Sequence, residues 1–131
     1  MILGIDLGEK TTGLATSDST ISTPYATITH KDQTEAVAKV VNICDDLQAE
    51  TVVLGFVEGK IKSLFENFAQ KLQANRPSLK IVMWDETLTS RQATESMVKL
   101  GVARAKRAQK QHEVAAALIL QSYLDSQDSS I

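Results

Sequence analysis

The feature that most restricts what this chain can fold into is a single change of hydrophobic period near residue 30. Before it, three short segments have the length and spacing of strands. They are 2–7 (Ile-Leu-Gly-Ile-Asp-Leu), 11–17 after a tight turn at Gly8-Glu9-Lys10, and 24–29, which opens on Pro24, where a missing N–H is tolerated. Segments this close in sequence suit an antiparallel meander. After residue 30 the period becomes helical. Ala36, Val37, Val40, Val41, Cys44 and Leu47 recur at three- and four-residue spacing and predict a helix over 34–47. The run 51–56 (Thr-Val-Val-Leu-Gly-Phe) is β-branched and aromatic throughout, as in a strand buried on both faces. Helical spacing returns at Leu64, Phe65, Phe68, Ala69 and Leu72. A second buried strand follows at 80–84, ending in Asp85-Glu86. Thr89 and Gln92 have capping-box spacing and predict a helix to Leu100, closed by Gly101. A last helix is expected over 111–124, with a frayed polar tail at 125–131.

Three strands followed by alternating helices and strands predict an α/β fold, a mixed sheet with helices on its faces. The 131 residues are one domain's worth, 1–131, which argues against an enzyme with a cleft between two lobes. The single cysteine, Cys44, excludes an internal disulfide and a cysteine-based zinc site. Two histidines, His30 and His112, exclude a His-rich metal site. One thiol and no disulfide suit the cytoplasm. No apolar run reaches the roughly 18 residues needed to span a bilayer, and the N-terminus lacks signal-peptide character, so no membrane partner is expected.

Chemistry concentrates at strand ends. Asp6 interrupts an apolar strand, where an unpaired carboxylate is expensive, and Asp85 and Glu86 end the last strand. Ligand sites in α/β sheets favour such ends. Carboxylates gathered at one rim repel one another unless a cation such as Mg²⁺ or Mn²⁺ neutralises them, although each acid alone also reads as a solvated strand end. The turn from Gly8 to Thr12 offers backbone N–H groups, Lys10 and the hydroxyls of Thr11 and Thr12, a plausible phosphate cradle; by itself it reads more readily as an ordinary hairpin turn.

The charge balance is misleading when taken whole. Fourteen bases against sixteen acids give a net of −2, which argues against a nucleic-acid partner. Yet Lys99, Arg104, Lys106, Arg107 and Lys110 lie in a segment without any acid, leaving nine bases against sixteen acids elsewhere, a net of −7. A +5 segment suits a phosphate backbone. Its plainer reading is a solvated helical face. His112-Glu113 opens the final helix and gains interest only from its position.

Together these motifs resemble the YqgF/RuvX family, nucleases of Holliday-junction-resolvase type with an RNase H-like fold. Residues 4–15 resemble the family's GIDxGxKRIGVA pattern, Ser17-Asp18 its following Ser-Asp, 51–55 its central strand, 84–90 its WDERLTT segment and 115–125 its C-terminal helix. The resemblance implies a five-stranded mixed sheet of order 3-2-1-4-5 with strand 2 antiparallel. It implies a divalent-metal-dependent endonuclease acting on structured nucleic acid, in 5′ processing of pre-16S rRNA or as a Holliday junction resolvase. Carried over, Asp6 and Glu86 are metal ligands and catalytic residues. One metal activates a water and the other stabilises the leaving 3′ oxygen. Lys10, Thr11, Thr12, Arg104, Lys106, Arg107 and Lys110 bind substrate. The family's acid before the Ala-Ala run falls at His112, with Glu113 next: either His112 is a catalytic metal ligand, and an imidazole favours Mn²⁺ over Mg²⁺, or Glu113 takes that catalytic place after a small helix rotation, or activity is lost. The family's Lys-Arg is Lys10-Thr11 here, the Arg of its DER is Thr87, and its Gly-Leu-Pro loop reads Gly55-Phe56-Val57. The alternatives are a catalytically weak nucleic-acid-binding module, which the missing carboxylate favours, and a phosphate-binding ATPase lobe of the actin and Hsp70 type, which needs a second lobe. The protein is expected as a monomer or weak homodimer.

Overall fold

The computed structural model describes residues 1–57, 62–88 and 111–128. Its elements are β1 (Ile2–Leu7), β2 (Thr11–Ser17), β3 (Thr23–Thr29), α1 (Gln33–Leu47), β4 (Thr51–Phe56), α2 (Lys62–Asn75), β5 (Lys80–Asp85), a single 3-10 turn (Glu86–Leu88) and α3 (Gln111–Asp128). The helix expected over 89–100 and the basic segment 99–110 lie outside the described residues.

The five strands form one sheet of order β3-β2-β1-β4-β5. β1 pairs antiparallel with β2, and β2 with β3; β1 and β4 run parallel, as do β4 and β5. This is the order and direction that the resemblance implied. Alternation along β1 explains how one strand serves two layers. Leu3, Ile5 and Leu7 face α1 and α2, joining Leu14, Val52 and Leu54 beneath Val37, Val40, Phe65, Phe68 and Leu72. Ile2, Gly4 and Asp6 face α3, whose Ala116, Ala117, Ile119 and Leu120 close over Ala15 and Val53. Both faces of the inner strands are therefore covered, which is why β4 is apolar throughout.

Element ends follow local chemistry. Asp32 caps α1, its carboxylate accepting from the Glu35 N–H at 2.8 Å, so the helix starts at Gln33. The register between β2 and β3 shifts between Leu14 and Ala15, where Tyr25 is the extra residue of a bulge. α3 continues to Asp128, beyond the expected end at residue 124. Gln121 holds this last stretch: its Nε2 donates to the Asp125 carboxylate at 3.0 Å and to the Thr20 carbonyl at 3.0 Å, and its Oε1 accepts from the Ser22 N–H at 2.9 Å. Among the described residues, no helix is long and apolar enough to cross a membrane.

Candidate functional site

Asp6 is half-buried near the C-terminal end of β1, and both strand neighbours at its level are glycines. It pairs with Gly13 on β2 and with Gly55 on β4. Directly paired residues share a face, so these three positions all look toward α3. The glycines let the helix backbone come down onto the sheet. A Cβ on Gly13 would lie 1.9 Å from the His112 carbonyl oxygen, and one on Gly55 would lie 2.5 Å from Ile119 Cδ1. The first turn of α3 thus rests beside Asp6. No hydrogen bond to the Asp6 carboxylate is made among the described residues.

The remaining predicted acids take up different positions. Glu113 is 6% exposed, and Thr27 Oγ1 donates to its Oε2 at 3.1 Å. Thr27 pairs with Gly13 from the β3 side, so Glu113 leans toward the outer strand, across Gly13 from Asp6. His112 is half-buried at the start of α3. Glu86 is half-buried in the 3-10 turn after β5, two strands and about 10 Å from β1 in the sheet. Asp85 follows Trp84, which packs on the α3 side, so Asp85 belongs to the opposite face from Asp6. Its Oδ1 accepts from the Thr87 N–H at 2.9 Å and the Thr87 hydroxyl at 2.8 Å, which shapes the turn bearing Glu86. Among the described residues no three His, Cys, Asp or Glu side chains converge closely enough to hold a metal ion. Asp6, Glu86 and His112 therefore surround the rim without forming a closed ligand set. Arg104, Lys106, Arg107 and Lys110 lie outside the described residues.

The turn between β1 and β2 is held from below. Lys10 Nζ donates to the Lys31 carbonyl at 3.1 Å, and the His30 N–H donates to the Lys10 carbonyl at 2.9 Å. Thr11 is half-buried. Thr12 is fully buried, its Oγ1 2.7 Å from His30 Nε2. Sequence reasoning assigned His30 no role at this turn. The signal was available in the strand pairing, since the register that pairs Thr11 with Thr29 places residue 30 opposite residue 10. Burial pushes the His30 imidazole below its ordinary value, and the Lys39 charge acts in the same direction; Glu35 and Asp32 oppose them.

A family model described as RuvX, Holliday junction resolvase, matches residues 1–126. A Staphylococcus epidermidis protein named "Putative pre-16S rRNA nuclease" is 38% identical over 135 residues, with 95% of each chain covered. A Clostridium botulinum protein of the same name is 34% identical over 132 residues, covering 95% of this chain and 96% of that one. Among solved structures, T. thermophilus RuvC in complex with a Holliday junction substrate superposes with a TM-score of 0.67 at 12% identity, covering 98% of this chain and 96% of that one. The Fowlpox virus resolvase with its Holliday junction DNA gives a TM-score of 0.59 at 16% identity, covering 96% and 97%. The fold is thus RNase H-like, shared with these resolvases.

Proposed function

Because the chain belongs to the RuvX family, we propose that it is a nuclease hydrolysing phosphodiester bonds in structured nucleic acid, acting in 5′ maturation of pre-16S rRNA. One observation carries the reading. Asp6 is a half-buried carboxylate that accepts no hydrogen bond from any of the described residues, set between two glycines at the sheet's C-terminal rim. A carboxylate left so is costly unless a ligand completes its surroundings. The ribosomal substrate is favoured over a DNA junction because the S. epidermidis and C. botulinum relatives carry the rRNA name, whereas the likeness to the solved junction resolvases is one of fold; the resolvase description of the family model keeps the four-way junction in the test.

The chain's own residues divide the work as follows. The backbone N–H groups of the 8–12 turn face incoming phosphate, with Lys10 beside them. Asp6 supplies negative charge at the point where the bond is cut, and α3 and the glycines shield it from one side. A requirement for Mg²⁺ or Mn²⁺ belongs to the same proposal. Since Asp6, Glu86 and His112 do not close on one ion in this structure, no step is assigned to a metal. That same observation favours a second reading, a module that binds nucleic acid without cutting it.

One assay separates the two. The protein is incubated with a pre-16S rRNA 5′ fragment and with a four-way DNA junction, each in Mg²⁺ and in Mn²⁺. Expected is cleavage of the RNA, with Mn²⁺ the better ion, lowered about 100-fold or more in Asp6→Asn while binding persists. Binding without cleavage in either ion supports the binding module instead. His112→Asp is expected to improve Mg²⁺ activity relative to Mn²⁺; unchanged rates in both ions place His112 outside the site.

A further inference from the structure

His30 is 5% exposed, and its ring ties the end of β3 to the start of β2. Nε2 is 2.7 Å from the buried Thr12 hydroxyl, and the same residue's N–H holds the Lys10 carbonyl. Nδ1 is buried and has no hydrogen-bond partner among the described residues. With the ring proton on Nδ1, Nε2 accepts the Thr12 O–H; with the proton on Nε2, the ring donates to the Thr12 oxygen, so either tautomer closes the contact. Beside this pair lies a cavity of about 110 Å³ lined by Leu7, Gly8, Glu9, His30, Gln33 and Leu64. The turn therefore has room to sag when His30 does not hold it.

We propose that His30 is a positioning residue, which clasps Thr12 and Lys10 so that the 8–12 turn presents its backbone N–H groups to the substrate phosphate. This rests on the nuclease reading above. It also reassigns Thr12, whose hydroxyl is spent inside the protein on holding the turn rather than on touching substrate. The charged groups around the ring are Glu9 and Lys10 of the turn, Lys31 and Asp32 before α1, and Glu35 and Lys39 on α1. Their charges of both signs leave the clasp dependent on the hydrogen bonds and on burial.

The test compares His30→Leu, which fills the space without a polar atom, with His30→Gln, whose side-chain amide can still accept from Thr12. The readouts are Kd and kcat on the pre-16S rRNA fragment at pH 7.5. Expected in His30→Leu is a Kd raised about fivefold to tenfold with kcat changed less than twofold, the loss of one net hydrogen bond's worth of preorganisation. His30→Gln restores Kd to within about twofold. Equal losses in the two variants, or a loss confined to kcat, overturn the proposal. Thr12→Val removes the hydroxyl from the other side and must raise Kd as His30→Leu does, which keeps the test alive if His30→Leu does not fold.

An NMR titration of the intact protein is independent of activity. The chain has two histidines, so two imidazole signals resolve cleanly. Expected is one ring titrating below the ordinary range. Two rings that both titrate as free imidazole overturn the clasp. If the unaltered protein neither binds nor cuts nucleic acid, the nuclease reading fails, and with it the substrate half of the proposal, while the spectra still decide whether the clasp exists.

Discussion

Gly13→Ala tests whether the docking of α3 depends on backbone contact. The added Cβ would lie 1.9 Å from the His112 carbonyl oxygen, 2.2 Å from its carbon and 2.8 Å from the Glu113 nitrogen. A carbon and a carbonyl oxygen approach comfortably to about 3.3 Å, so the first turn of α3 must retreat by about 1.4 Å. No side-chain rotation relieves the clash, because all three obstructing atoms are backbone. Nor can the helix retreat as a rigid body without opening its contacts further along, where Leu120 packs over Gly4 and Ile119 over Gly55. The penalty belongs at the upper end for overpacking, about 3 kcal/mol, and alanine's smaller entropy loss in a strand returns about 0.5–1. The net cost is about 2–2.5 kcal/mol. At an unfolding entropy of about 2.1 cal/mol/K per residue, that lowers Tm by about 8 °C for a chain this size. Gly55→Ala is the internal control. There the obstruction is Ile119 Cδ1 at 2.5 Å, the far end of a flexible side chain, and about 1 kcal/mol or 4 °C is expected. The assay is calorimetric melting of both variants and the parent in one buffer. A Gly13→Ala protein that melts within about 2 °C of the parent, or a Gly55→Ala protein that falls as far, refutes the reasoning.

Three further outcomes follow from the same structure. Gln121→Leu strands the Ser22 N–H and the Thr20 carbonyl, and urea unfolding should show a loss of about 2–4 kcal/mol with an unchanged m value. Cys44 is buried and its thiol is pushed up to about 11, chiefly by burial and then by the Asp45 charge, so a thiol reagent at pH 8 should modify it only after unfolding. The lowered His30 value has a definite sign. The unfolded chain binds the proton more readily, so the contribution is complete above the ordinary imidazole value of 6.5 and is lost as pH falls from there toward the folded value. Stability measured at pH 7.5, 6.5 and 5.5 should fall with acid, and His30→Gln should flatten that fall.

The period switch made the fold legible because both kinds of strand burial leave a mark in sequence. β4 is apolar on both faces and reads as a run, while Asp6 stands out in β1 because it is the charge in an apolar strand. What could not be read depended on pairing across long separations. Glu113 reads as a candidate ligand at a helix start, and nothing in the sequence signals that Thr27, 86 residues away, donates to it. Asp85 and Glu86 look equivalent until the pleat places Asp85 on the far face with Thr87 as its partner. Gly4, Gly13 and Gly55 look like turn and strand glycines. Their shared purpose appears only when α3, which begins at Gln111, lies across all three.

That shared purpose bears on how the fold tolerates Asp6. An arginine or lysine beside it would stabilise the carboxylate and also occupy it. The structure supplies a weaker compensation. The first turn of α3 rests on Gly13, the residue paired with Asp6, and a helix N-terminus is worth roughly 0.3–1 kcal/mol to a nearby anion. A side chain at 13 would hold the helix end away and remove even that. Partial charge from a helix end has no atom that must be displaced before a ligand can bind. The carboxylate therefore stays open at the rim, as the nuclease reading requires. The same glycines that pack the helix to the sheet leave the site accessible, so packing and function select the same residue at position 13.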